Sequence, residues 1–154
     1  MSQSNTESVL VSGGSGFIGT YLCKSLIHNS FNVYCGYLNH KPDIPGAIPV
    51  KLDVTSLKDI EEKLSSIKID QIIHLAYSKG PSMEDVIVKG TKNISQYTRK
   101  INAGILFLST DLVFSGEKGS YSESDEPKPV ITYGKFKLTA ENEIKVNNGY
   151  IVRT

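Results

Sequence analysis

The chain has 154 residues, of which 39% are hydrophobic and 21% charged, with 13 glycines and no tryptophan. That suits one domain able to bury roughly 70% of its unfolded surface, and it excludes a disordered or collagen-like chain. Seventeen Lys and Arg against 16 Asp and Glu leave a net charge of +1, so no global field recruits nucleic acid or an anionic membrane.

Residues 1–7 are polar and read as a flexible tail without the apolar stretch of a secretory signal, which places the protein in the cytoplasm. Ser8-Val9-Leu10-Val11 is an apolar run ending in Ser12-Gly13-Gly14, a buried strand and a tight turn. From Gly16 to His28, Phe17, Ile18, Tyr21, Leu22 and Leu26 recur at helical spacing. Asn32 to Leu38 reads as the second strand, followed by a loop holding Pro42, Pro45, Gly46 and Pro49. Val50-Lys51-Leu52 is a short third strand, and Thr55 or Ser56 caps a helix through Leu57, Ile60, Leu64 and Ile67. Ile69 to Leu75 is the fourth strand, Ser82 to Ile101 a helix and Ile105 to Leu108 the fifth strand. Residues 115–129 form a loop, Ile131 to Asn147 a helix, and Tyr150-Ile151-Val152 a strand of buried type.

Continuous apolar strands alternating with helices predict an α/β fold, a doubly wound parallel sheet of Rossmann type. No apolar run approaches the ~20 residues of a membrane span. Cys23 and Cys35 have no metal or CxxC spacing and are expected as reduced, buried thiols, with no metal site. Asn93-Ile94-Ser95 matches the glycosylation triplet by chance.

Gly13, Gly16 and Gly19 stand three apart between the first strand and the first helix. Gly13 allows the tight turn, Gly16 lets a pyrophosphate approach the backbone, and Gly19 lets helix and strand pack closely. The free N–H groups at the start of the helix, around Ser15, Phe17 and Ile18, then meet phosphate. After the second strand, Asn39, His40 and Lys41 include no carboxylate to hold a ribose 2′-hydroxyl, which favours NADP over NAD.

Tyr133 and Lys137 lie four apart, on one face of a helix. About one such pair is expected by chance in this composition, and Tyr37 with Lys41 matches too, ahead of Pro42 where no helix continues. Position separates them: Ser109-Thr110-Asp111 ends the fifth strand at the carboxyl edge of the sheet, where ligands of open α/β sheets bind.

The glycine spacing resembles the GxxGxxG of the extended short-chain dehydrogenase/reductase superfamily. The segments Leu108 to Gly116 and Tyr133 to Leu138, with Tyr121, Glu123 and Pro127-Lys128-Pro129 between them, resemble that branch's Ser/Thr–Tyr–Lys arrangement. Within the branch they are similar to dTDP-4-dehydrorhamnose reductases and to the regulatory β subunits of methionine adenosyltransferase. The resemblance implies an NAD(P)H-dependent reductase of a nucleotide-linked keto-sugar, with Tyr133 as acid, Lys137 lowering its pKa and holding the cofactor ribose, Thr110 orienting the carbonyl, and Ser109 ranked behind it. It also implies cofactor contacts from Asp53, Val54, Leu75, Ala76 and Tyr77. For Asp53 a helix cap is the equal alternative, and His74 reads as a packed core residue rather than an acid or base.

Two departures matter. Leu112 stands where the branch's dehydratases carry Glu and cannot abstract a proton; an epimerase stays open. Ile87 stands where the family often has Asn, which weakens a polar network beneath the site. Glu123, Asp125 and Glu126 read as a solvated loop. A non-catalytic regulatory subunit is the alternative reading, and a homodimer is compatible with either. Residues 8–154 are thus expected to be the NAD(P)-binding part of a longer protein lacking the C-terminal substrate-binding region, and inactive alone.

Overall fold

The structure, a computed structural model, describes residues 6–154. In chain order its elements are β1 (Ser8–Ser12), α1 (Phe17–His28), β2 (Asn32–Tyr37), β3 (Ala47–Lys51), α2 (Leu57–Leu64), β4 (Gln71–His74), α3 (Gly90–Ile101), β5 (Gly104–Ser109), α4 (Thr132–Lys145) and β6 (Tyr150–Arg153). The strands pair in parallel in the order β3-β2-β1-β4-β5-β6. The expected Rossmann-like α/β fold is therefore present. Chain order reverses between β1 and β4, the place where such sheets open a ligand crevice at their carboxyl ends.

Alternation along each strand divides the core. Leu10, Ile72, Phe107 and Ile151 face α2, α3 and α4, packing with Ile60, Ile94 and Ile144. Val9, Val11, Val33 and Cys35 face α1 and pack on Cys23. Each fully buried Leu, Ile, Val or Phe side chain among them contributes about 1.5–3 kcal/mol through burial, and Ile151 is partly buried.

Several boundaries differ from the sequence expectation. β3 begins at Ala47 and includes Pro49, tolerated because β3 lies at the sheet edge and pairs only with β2. The single helix expected over 82–101 starts with a 3₁₀ turn at Gly80–Ser82 and a π turn at Asp85–Lys89 before α3. The last strand is not buried: β6 pairs only with β5, leaving Tyr150 76% and Val152 40% exposed. The tail expected over 1–7 falls mainly on residues 1–5, outside the described residues; Glu7 accepts a hydrogen bond from Asn32 N–H at 3.0 Å. Both cysteines are free and buried as expected. Asn93 is buried, its amide donating to Val54 O at 3.0 Å, so the glycosylation triplet belongs to the core. Among the described residues no helix is long and apolar enough to cross a membrane.

Candidate functional site

A cleft of about 760 Å³ opens along the carboxyl ends of the strands. Its floor is the glycine turn. Gly13 adopts φ +75°, and a Cβ there would lie 2.8 Å from Ala76 N; Gly19 is equally constrained, since its Cβ would lie 2.6 Å from Gly14 Cα. Both therefore do what the spacing predicted: one makes the turn, the other lets α1 press against it. Gly14, which the sequence reading passed over, seats the two thiols, as its Cβ would meet Cys35 Sγ at 2.5 Å. At the head of α1, Gly16 offers no side-chain cap and the first turn holds no acidic residue. The backbone N–H groups around Phe17 and Ile18 and the positive end of the helix dipole thus face the cleft without a competing anion. Ser15 and Gly16 line the same wall, while Phe17 is 81% exposed.

At one end of the cleft, β2 delivers Asn39 and His40 to the wall. Lys41, expected beside them, is exposed and is not among the residues that line it. Asp53 and Val54, which follow the neighbouring strand β3, also line the cleft. Asp53 caps no helix: its Oδ1 accepts from Thr55 N at 2.9 Å and Thr55 Oγ1 at 2.7 Å, while Ser56 caps α2 by accepting from Asp59 N. Leu75, Ala76 and Tyr77 continue the wall beyond β4.

The other end gathers the polar groups read as catalytic. Thr110 follows β5 and starts a 3₁₀ turn, its hydroxyl accepting from Leu112 N at 3.3 Å and donating to Asp111 Oδ1 at 3.2 Å. These are long, weak bonds that a ligand can replace. Tyr133 and Lys137 come from the first turns of α4. Lys137 is only 3% exposed; its Nζ donates to Leu108 O at 2.7 Å and sits 4.5 Å from the Phe107 ring centroid. Burial lowers its pKa from 10.5 to about 8, with the Glu141 carboxylate one turn on opposing the fall.

Three features correct the sequence reading. Tyr133 is not lowered: burial raises its pKa, as does the phenol of Tyr77, whose ring meets it edge-on at 5.4 Å. Lys137 lies 6.0 Å from the Tyr133 ring centroid and is bonded to Leu108 instead. Ser109, ranked behind Thr110, has its hydroxyl committed to Glu141 Oε1 at 2.6 Å on the helix side of the sheet. The fully buried Glu141 also accepts from Arg153 Nε at 2.9 Å and Nη2 at 2.6 Å, clamping α4 to β5 and β6.

Gly134 is the positioning residue the sequence reading missed. A Cβ there would lie 2.9 Å from the Leu112 carbonyl carbon, and closer still to its oxygen, so only glycine lets α4 bring Tyr133 against the Thr110 turn. Its position inside Tyr-x-x-x-Lys was visible, but the packing partner was not. The acidic loop groups lie elsewhere: Glu123 and Glu126 are exposed, and Asp125 accepts from Ser122 and Lys118 within the loop. Among the described residues no cluster could hold a metal ion.

The family described as RmlD substrate binding domain matches residues 7–154. Methionine adenosyltransferase 2 subunit beta of Danio rerio is 29% identical over 143 residues, covering 88% of this chain and 43% of that protein. A structure described as a hypothetical dTDP-4-dehydrorhamnose reductase from Sulfolobus tokodaii superposes with TM-score 0.82 at 28% identity, covering 95% of this chain and 55% of the other. The Bordetella bronchiseptica enzyme WbmG, in complex with NAD and UDP, superposes with TM-score 0.84 at 19% identity, covering 97% of this chain and 52% of its own, a likeness of fold alone. The chain spans about half the length of these relatives.

Proposed function

The chain belongs to the RmlD substrate binding domain family, and we propose that it is the dinucleotide-binding and catalytic part of an NAD(P)H-dependent reductase of a nucleotide-linked keto-sugar. The observation that carries this reading is a single cleft with the glycine turn in its floor and Thr110, Tyr133 and Lys137 in its wall. The residues fit a dinucleotide. Glycines occupy positions where Cβ atoms would block the turn, the helix head bears no anion, and Asp53 and Val54 stand beside the end of β2. Bound there, NADPH or NADH supplies a hydride to the substrate carbonyl. Asn39 and His40, with no carboxylate on the wall at the end of β2, favour NADPH.

The alkoxide that develops needs a proton and donors. Tyr133 supplies the proton, Thr110 donates to the oxygen once its bond to Asp111 is exchanged, and Lys137 holds positive charge behind them. The protonation states are compatible with reduction. Tyr133, raised by burial, is held in the acid form, and Lys137, at about 8, remains mostly charged at neutral pH. A reaction that begins by oxidising an alcohol, as epimerisation does, needs the phenolate instead.

Calorimetric titration should show NADPH binding more tightly than NADH. The product of the whole gene should oxidise NADPH with a dTDP-4-keto-6-deoxysugar, and Tyr133→Phe should slow turnover by at least about 10²-fold, the scale of general-acid catalysis. Unchanged turnover in that variant removes the assignment. The likeness to methionine adenosyltransferase 2 subunit beta favours a second reading, a dinucleotide-binding regulatory subunit; its mark is co-purification with a methionine adenosyltransferase, with dinucleotide binding and no keto-sugar turnover.

A further inference from the structure

Beneath the cleft runs a line of buried hydrogen bonds that the proposed reaction does not use. Ser12 Oγ lies 2.6 Å from His74 Nδ1, His74 Nε2 lies 3.1 Å from Thr91 Oγ1, and the Thr91 hydroxyl donates to Ile87 O at 2.5 Å. Ser12, His74, Thr91 and Ile87 are all fully buried.

The direction of every bond follows. A threonine hydroxyl has one proton, and Thr91 gives it to Ile87 O. Toward His74 it can only accept, so Nε2 carries the hydrogen. Complete burial, assisted by the Lys137 ammonium, keeps the imidazole neutral. Nδ1 is then bare and accepts the Ser12 hydroxyl. Phe107 fills the space between the two bases, its ring stacked on His74 at 5.7 Å and facing Lys137 Nζ at 4.5 Å.

One end of this line lies at the floor of the cleft and the other at its wall. Ser12 is the last residue of β1 and leads directly into Gly13. Ile87 is the middle of the π turn, which carries Asp85 and Val86 into the cleft lining. A π turn departs from regular helix bonding, and the Thr91 hydroxyl adds a side-chain bond to its Ile87 carbonyl. The Ile87 side chain itself takes no part in this line, which uses only its backbone carbonyl.

We propose that Ser12–His74–Thr91 is a positioning chain that ties the glycine turn to the π turn, so that the floor and this wall of the cleft keep one relative geometry, with His74 locked as the Nε2–H tautomer. Only its consequence for cofactor affinity rests on the proposed function; the chain itself does not.

The test begins with Ser12→Ala, a change at the strand end read out at the π turn. Hydrogen exchange at the amides of residues 85–89 should quicken about tenfold, the effect of one lost buried hydrogen bond. Thr91→Val should weaken NADPH binding several-fold, and Thr91→Ser, which keeps the hydroxyl, should restore it. Nitrogen NMR of the His74 imidazole, assigned by its loss in His74→Gln, should show the neutral Nε2–H form. Combined with Thr91→Val, Ser12→Ala should add little to the exchange at 85–89, because one substitution already breaks the line. An Nδ1–H tautomer for His74, unchanged exchange in Ser12→Ala, or full additivity in the double variant overturns the proposal. If NADPH binds no form of the protein, the functional reading fails, while the exchange and tautomer measurements still decide the chain.

Discussion

Gly134→Ala sets two effects of known size against each other. Gly134 lies in the first turn of α4, where alanine is intrinsically the better residue by up to about 1 kcal/mol. Against that, the new methyl would lie 2.9 Å from the Leu112 carbonyl carbon and 3.1 Å from Pro129 Cβ, whereas carbon atoms pack at about 3.5–4.0 Å. The helix head must therefore retreat by about 1 Å, and overpacking of this kind costs about 1–3 kcal/mol. The clash wins, for a net loss of about 1–2 kcal/mol, or about 2–8 °C in Tm for a chain of this size. Tyr133 is the neighbouring residue and moves with the helix, and a misplacement of about 1 Å at a catalytic group costs about 10²-fold in rate. Urea and thermal unfolding give the first number, and turnover of the whole gene product gives the second. Gly119→Ala is the control, because a Cβ there meets nothing within 4 Å. A Gly134→Ala protein that is more stable than its parent and equally active would refute the close approach of α4 to the Thr110 turn.

Gly19→Ala places a methyl 2.6 Å from Gly14 Cα, against backbone that cannot yield, so NADPH affinity measured by calorimetry should fall at least about tenfold, the equivalent of 1.4 kcal/mol. His74 makes stability pH-dependent: its pKa falls from 6.5 to about 3 in the folded state, so the unfolded chain binds the proton first. Stability is full above pH 6.5 and declines as pH falls toward 3, by about 2.7 kcal/mol between 6.5 and 4.5 at 1.36 kcal/mol per unit; urea titrations of His74→Gln should lack this decline, and parallel curves would contradict a neutral buried His74. Glu141→Gln leaves Arg153 without its counter-charge. Because Arg153 is partly solvated the cost belongs at the lower end of the buried-pair range, about 3 kcal/mol, and Arg153→Met in the same protein should recover part of it in a denaturation cycle.

Features that depend on a local backbone demand could be read from the chain. Gly13 and Gly19 are required by a positive φ and by a close approach within seven residues, so their spacing alone announces the turn. The parallel, doubly wound sheet followed from the alternation of apolar blocks and helices, and its carboxyl edge gathers Thr110, Tyr133 and Lys137. What stayed hidden depends on partners distant in sequence. The Glu141 clamp needs β6 beside β5 in the register that sets Ser109 against Arg153, which no local pattern encodes. The π turn at 85–89 adds hardly more than one residue to a helical period, so Val86, Ile87 and Ile94 still read as one continuous face. His74 was legible as buried, yet its orientation requires Ser12 from the neighbouring strand and Thr91 from the helix above.

The same distinction explains the error over Tyr133. Its spacing to Lys137 implied an ammonium close enough to lower the phenol, but spacing says nothing about competing acceptors. Leu108 O, at the end of β5, takes the ammonium at 2.7 Å, and Tyr77 meets the phenol ring from the β4 side. Both competitors are brought there by the sheet, so the motif places the two groups while the fold sets their charge. The outcome is a Tyr133 phenol raised by burial beside a lysine lowered to about 8.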